Sequence, residues 1–153
     1  MADLFTHFVA ARVPGMFVRD RRLQALLVIG TFLPDIAGKG LFWVLQNHES
    51  APLSTHSIAG VLLVSYLVCL FVEESLRRPG FFLLAAGGAI HVLVDLAKDN
   101  MGVGSALLLL PFSTRGTEFG WIDSENVVLL IPFDAAILAA AWFLERRWRR
   151  VQQ

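Results

Sequence analysis

Residues 80–98 read Gly80-Phe-Phe-Leu-Leu-Ala-Ala-Gly-Gly-Ala-Ile-His91-Val-Leu-Val-Asp95-Leu-Ala-Lys98. The run, expected to start at the Pro79-Gly80 break, is long and apolar enough for a membrane helix, since about 20 residues at 1.5 Å rise cover a hydrocarbon core of about 30 Å. Two ionisable side chains interrupt it four residues apart. On a helix that spacing is about 40° of rotation and about 6 Å of rise, so His91 and Asp95 share a face. Ionisable groups at membrane depth are costly unless they pair or hold a metal. Taken alone, the pair fits a buried His–Asp hydrogen bond as well as a metal site.

Working outward, four more segments are apolar enough to cross or pack within a bilayer. Leu4 to Val18 is short, with Pro14-Gly15 placed to end it early. Leu23 to Leu33 is expected to stop at Pro34, because the residue before proline tends to leave the helical region. Ile36 to Gln46 is expected to resume. Thr55 to Ser75 reads as the cleanest span, with Thr55 as N-cap. Val127 to Leu144 is the last. Val103 to Phe112 is too short to cross and reads as a re-entrant or interfacial helix. The expectation is one all-α domain over 1–153, a polytopic membrane bundle of about five segments plus that short piece.

Bulk composition agrees. Of 153 residues 56% are hydrophobic, above the usual 45–50%, and the mean hydropathy is +0.61. The formal net charge is zero, so no overall field points to nucleic acid. Positive charge is local instead, at Arg19, Arg21 and Arg22, at Arg77 and Arg78, and at Arg146, Arg147, Arg149 and Arg150. Cytoplasmic ends carry excess lysine and arginine. Five crossings with the N-terminus outside and the C-terminus in the cytoplasm satisfy all three clusters. The N-terminal MADLFTHFVA has no basic region or small-residue cleavage site, so no cleaved signal peptide is expected. Cys69, the one cysteine, lies in an apolar run and reads as a small core residue, which leaves neither an intrachain disulfide nor a thiolate metal site.

That topology puts His7, Asp35, His56, His91 and Asp95 toward the non-cytoplasmic ends of four different segments. Each has an ordinary explanation by itself: His7 and His56 as interfacial polar residues, Asp35 as a turn or cap residue at the Pro34 break. Their common depth favours a shared metal. Lys98 falls at a helix end. His48, in Gln-Asn-His-Glu-Ser, reads as a solvated loop residue rather than a ligand. Asp134, in Ile-Pro-Phe-Asp, is either an acid deep in a span or the cap of a shorter final helix begun at Pro132. Glu118 and Asp123 read as loop acids, and Trp121, Trp142 and Trp148 as interfacial anchors.

The order of motifs resembles the YdjM-like inner-membrane family of metal-dependent hydrolases. Those motifs are Thr6-His7, Leu33-Pro34-Asp35, Thr55-His56-Ser57, His91 to Asp95, and Leu110-Pro111-Phe112-Ser113 with Arg115 and Gly120 beyond. That family is in turn similar to the zinc-dependent phospholipase C and single-strand nuclease superfamily. The resemblance implies a helical fold and a first zinc ion held by Asp35, His56, His91 and Asp95. It also implies a second, held by His7 with Asp95 bridging. Two positions depart from the family pattern: Ala37 stands where a second acid is usual, and Ala51-Pro52 where His-Arg is usual.

The resulting expectation is a zinc-dependent phosphoester hydrolase of the inner membrane, acting on a phospholipid or other lipid-linked phosphate near the outer face. A first-ligand carboxylate, Asp35 or Asp95, would accept the proton of the attacking water. Lys39, Lys98 or Arg115 would neutralise developing charge. The competing expectations are a non-catalytic membrane protein whose polar residues hold helices together, and a small transporter using Asp134 and the histidines as a proton relay.

Overall fold

The computed structural model describes residues 4–45, 54–98, 107–117 and 119–151. Five α-helices account for most of it: α1 Leu4–Gly15, α2 Arg21–Leu45, α3 Ile58–Cys69, α4 Glu74–Leu96 and α5 Ile131–Val151. A 3-10 helix, Ser124–Leu130, leads into α5. His48, Asp99 and Glu118 lie outside the described residues.

The helices alternate in direction. The ion pair of Arg22 with Glu73 marks the start of both α2 and α4, and Asp35 meets His91 toward their ends, so these two run parallel. Helix α3 runs back between them, from His56 beside Asp35 to Cys69, whose thiol donates to the Arg77 carbonyl. Helices α1 and α5 also start at the Asp35 end: Thr6 donates to Asp134, and further along Arg12 pairs with Glu145. The three arginine clusters therefore gather at one end of the bundle and the His/Asp residues at the other.

Helices α2, α4 and the stretch Val128–Arg147 are long and apolar enough to cross a membrane. Helices α1 and α3, with 12 residues each, reach only about 18 Å. Among the described residues the five expected segments thus become three helices long enough to span and two half-length helices. Exposed apolar side chains such as Phe82, Leu93, Ile137 and Phe143 cover the outside, the surface a lipid solvent requires.

Several local expectations change. Pro34 does not end a helix: α2 continues through it for 25 residues. Proline removes one backbone donor and crowds the preceding turn, but in a packed membrane helix neighbouring groups compensate. Pro34 is fully buried, one turn beyond a very close contact of α2 with α4. That contact is between backbones. A Cβ built on Gly30 would fall 2.3 Å from the Leu84 carbonyl oxygen, and one on Gly87 would fall 2.2 Å from the Leu27 carbonyl oxygen. No side chain fits at either position, so α2 and α4 lie directly against each other.

Thr55–Ser75, read as the cleanest span, yields the short α3. Its cap is Ser57 rather than Thr55: the Ser57 hydroxyl accepts from the Gly60 amide at 2.9 Å and donates to the Ser54 carbonyl at 2.7 Å. Pro79 likewise fails to start a new helix and lies inside α4. Of Val103–Phe112, only 107–112 is described, and it forms turns rather than a helix. The Leu108 carbonyl accepts from the Ile58 amide at 3.0 Å, so this strap covers the N-terminal end of α3. The far end of α4 is satisfied similarly. The Leu96 and Ala97 carbonyls accept from the amides of Phe119, Trp121 and Ile122, which meets the orphaned acceptors that every helix C-terminus leaves.

Candidate metal centre

The site is built by the Gly30–Gly87 contact. From Gly30, Asp35 is five residues on; from Gly87, His91 and Asp95 are four and eight residues on. These are one to two turns of two parallel helices, so closeness at the glycines becomes closeness of the side chains above them. The buried stripe of α4 runs through Gly80, Leu84, Gly87, Gly88, His91, Val92 and Leu96. It directs His91 inward, where it is 1% exposed. Helix α3 delivers His56 from the turn that precedes its cap. Thr55 Oγ1 lies 3.2 Å from His56 Nδ1 and orients the ring so that Nε2 faces the cluster.

Four donor atoms converge: Asp35 Oδ1, His56 Nε2, His91 Nε2 and Asp95 Oδ2. The two imidazole nitrogens are 3.1 Å apart, and His91 Nε2 is 3.1 Å from Asp95 Oδ2. His56 Nε2 lies 3.4 Å from Asp35 Oδ1 and 3.6 Å from Asp95 Oδ2, and His91 Nε2 lies 3.6 Å from Asp35 Oδ1. All four atoms fall within 4.8 Å of one another.

These lengths have a simple meaning. A tetrahedron with a central ion about 2.0–2.2 Å from each nitrogen and oxygen has edges of about 3.3–3.6 Å. Five of the six edges here lie between 3.1 and 3.6 Å. The donor chemistry fits as well: two neutral imidazoles and two carboxylates balance a divalent cation and suit zinc or another first-row metal.

His7 joins from α1 but at a different atom. Fully buried, it places Nε2 3.3 Å from Asp95 Oδ1, the oxygen turned away from the four-atom set, and its ring lies 4.3 Å from that of His91. Lys98, 4% exposed, faces the same oxygen at 3.5 Å. His7 and Lys98 thus back Asp95 from behind, an arrangement that orients a ligating carboxylate.

Arg115 is exposed, and among the described residues no contact joins its side chain to the cluster. Asp134 lies in the first turn of α5, where it accepts from Thr6 at 2.6 Å. It is a helix-to-helix contact beside the site, not an acid midway along a span. Asp123 is an exposed residue before the 3-10 helix, where its carboxylate accepts from the Asn126 side chain.

A cleft of about 290 Å³ opens beside the cluster, lined by Asp35, Gly38, Lys39, Phe42, Trp43 and His56. Asp35, with 23% of its side chain exposed, is more open than His56, Asp95 or His91 at 16%, 17% and 1%. The cleft therefore approaches the cluster from the Asp35–His56 edge.

Sequence reasoning overlooked two features. The ion pair of Arg12 with Glu145 fastens α5 to α1; its signal was an arginine set inside one apolar stretch and a glutamate at the end of another. The Gly30–Gly87 contact had only the weak signal of glycines within two long apolar helices.

Comparison with known proteins adds one match. The family model for the YdjM inner membrane protein matches residues 1–152. No curated protein and no solved structure matches the chain.

Proposed function

The chain belongs to the YdjM inner membrane protein family, and from that premise we propose that it is a membrane-embedded, metal-dependent hydrolase. Its substrate on this reading is a phosphoester of a lipid or lipid-linked molecule. The observation that carries the proposal is the convergence of Asp35, His56, His91 and Asp95, whose donor atoms lie within 4.8 Å of one another. A divalent ion, zinc for preference, would supply there a water of lowered pKa and a positive charge for the developing oxyanion.

The chain's own groups supply the rest. Asp35, the most open of the four and on the cleft wall, is placed to accept a proton from water entering the cleft. Lys39, on the same wall, would pair with non-bridging phosphate oxygens. His7 and Lys98 are positioning residues that hold Asp95, and Arg115 has no step. Phe42 and Trp43 flank the cleft, Trp43 being 78% exposed; they suit a substrate whose apolar part remains in the bilayer. With the arginine clusters on the cytoplasmic side, the cleft opens toward the outer face.

One observation favours a second reading. Four protein donors already fill a tetrahedral shell, the pattern of a structural ion, whereas a catalytic ion keeps a position open. On that reading the ion clasps α2, α3 and α4 together and nothing is hydrolysed. Purified protein loaded with zinc, assayed on bis(p-nitrophenyl) phosphate and on phospholipid vesicles, separates the two. Turnover abolished by Lys39→Ala and Asp35→Ala, with metal retained in Lys39→Ala, supports the hydrolase. Stoichiometric metal without turnover supports the clasp.

A further inference from the structure

Two further cavities lie along the α1–α5 face, running from beside Thr6 and Asp134 to the arginine end of the bundle. One is an apolar groove of about 540 Å³ walled by Phe5, Phe8, Ala135, Leu138 and Ala139, with Arg12 and Trp142 at its margin. The other is a polar cleft of about 360 Å³ that shares Arg12 and Trp142 and adds Arg21, Gln24, Glu145 and Arg146. The shared residues make them one continuous feature, running from Phe5 to Arg12 over about 10 Å of α1 and ending among the arginines.

Its charge is specific. Three guanidinium groups face one carboxylate, which leaves two positive charges in the cleft. Glu145 is committed to Arg12. Arg146 lies over the Trp142 ring, 4.0 Å from its centroid, and Arg21 is exposed. Arg21 and Arg146 thus remain to meet an anion, and Arg12 is fixed at the junction of the two cavities. Among its described side chains, helix α5 reaches the bundle through a narrow stripe, with Asp134, Ala141 and Glu145 buried. The small side chains of Ala135 and Ala139 beside that stripe leave the groove open.

We propose that this feature binds an anionic phospholipid, with an acyl chain in the groove and the headgroup phosphate between Arg21 and Arg146. An apolar trough ending in a doubly positive cleft, where basic clusters mark a membrane surface, complements that molecule in both shape and charge. The site is distinct from the metal centre and does not depend on it.

The test uses the full chain with Trp43, Trp121 and Trp148 replaced by phenylalanine, so that Trp142 reports alone. It is reconstituted in phosphatidylcholine vesicles containing a small fraction of lipid with brominated chains, either phosphatidylglycerol or phosphatidylcholine. Quenching by the two gives a relative association constant. The expected preference for phosphatidylglycerol is about fivefold per arginine engaged. It falls toward one in Arg21→Gln/Arg146→Gln and by about fivefold in Arg21→Gln alone, and it persists in Arg77→Gln/Arg78→Gln, where the charges lost lie outside the cleft. Equal quenching by both lipids overturns the proposal, as does an unchanged preference in Arg21→Gln/Arg146→Gln. Loss of the preference on adding millimolar inorganic phosphate also overturns it, since the cleft would then be a site for a free anion.

Discussion

Replacing Gly87 by alanine should empty the candidate metal centre even though Gly87 supplies no ligand atom. A Cβ there would lie 2.2 Å from the Leu27 carbonyl oxygen, and an ordinary contact needs about 3.4 Å, close to normal carbon separations. Helices α2 and α4 must therefore part by about 1.2 Å. Asp35 rides on α2, and His91 and Asp95 on α4. The same displacement would stretch the 3.6 Å between His91 Nε2 and Asp35 Oδ1 to about 4.8 Å, well beyond the edge of about 3.3–3.6 Å that a shared ion requires. Loss of one such ligand contact should weaken binding by at least 10–100-fold, the range seen when a ligand merely loses its orienting partner. The assay is zinc content of purified protein across a graded chelator series, with circular dichroism to verify helicity. Gly40→Ala is the control, because a Cβ at Gly40 meets nothing within 4 Å. Retention of zinc by Gly87→Ala with the affinity of the parent would refute the claim that the glycine contact sets the ligand spacing.

Three further outcomes are expected. His91→Ala should lose the ion while the helices persist, as metal analysis beside circular dichroism will show. Glu145→Leu leaves Arg12 without its carboxylate; breaking a buried pair costs about 3–5 kcal/mol. Arg12 is about a quarter exposed, so solvent should reduce the loss to about 1–3 kcal/mol, read by thermal unfolding in detergent. Asp134→Asn should change stability by no more than about 1 kcal/mol, since polar contacts between membrane helices average about 0.6 kcal/mol. It should leave metal content unchanged; a loss of metal would show that Asp134 belongs to the centre.

Local spacing made much of the candidate site legible. His91 and Asp95 share a helix face at any tertiary arrangement, and Asp35 and His56 stood out as polar residues costly to bury. Their meeting rests on the register of α2, α3 and α4, which no single segment encodes. Basic clusters alternating along the chain pointed to the alternating helix directions. Helix lengths were harder to read. Pro34 and Pro79 looked like boundaries because proline removes a donor, yet packing at Gly30–Leu84 and around Gly80 keeps both helices continuous. Conversely, the smooth hydropathy of Thr55–Ser75 concealed a helix that is only 12 residues long. The burial of Lys98 was hidden too: it depends on residues 119–122 returning over the end of α4, a contact with no trace in local sequence.

X-ray absorption at the zinc edge of the purified, zinc-loaded chain tests most directly whether these four side chains hold one ion. About one zinc per chain is expected, in a shell of nitrogen and oxygen at about 2.0–2.2 Å that includes two imidazoles and no sulfur, with both the stoichiometry and the imidazole signal reduced in His91→Ala. A parent protein that binds no zinc, or a zinc shell unaltered by His91→Ala, would contradict the account.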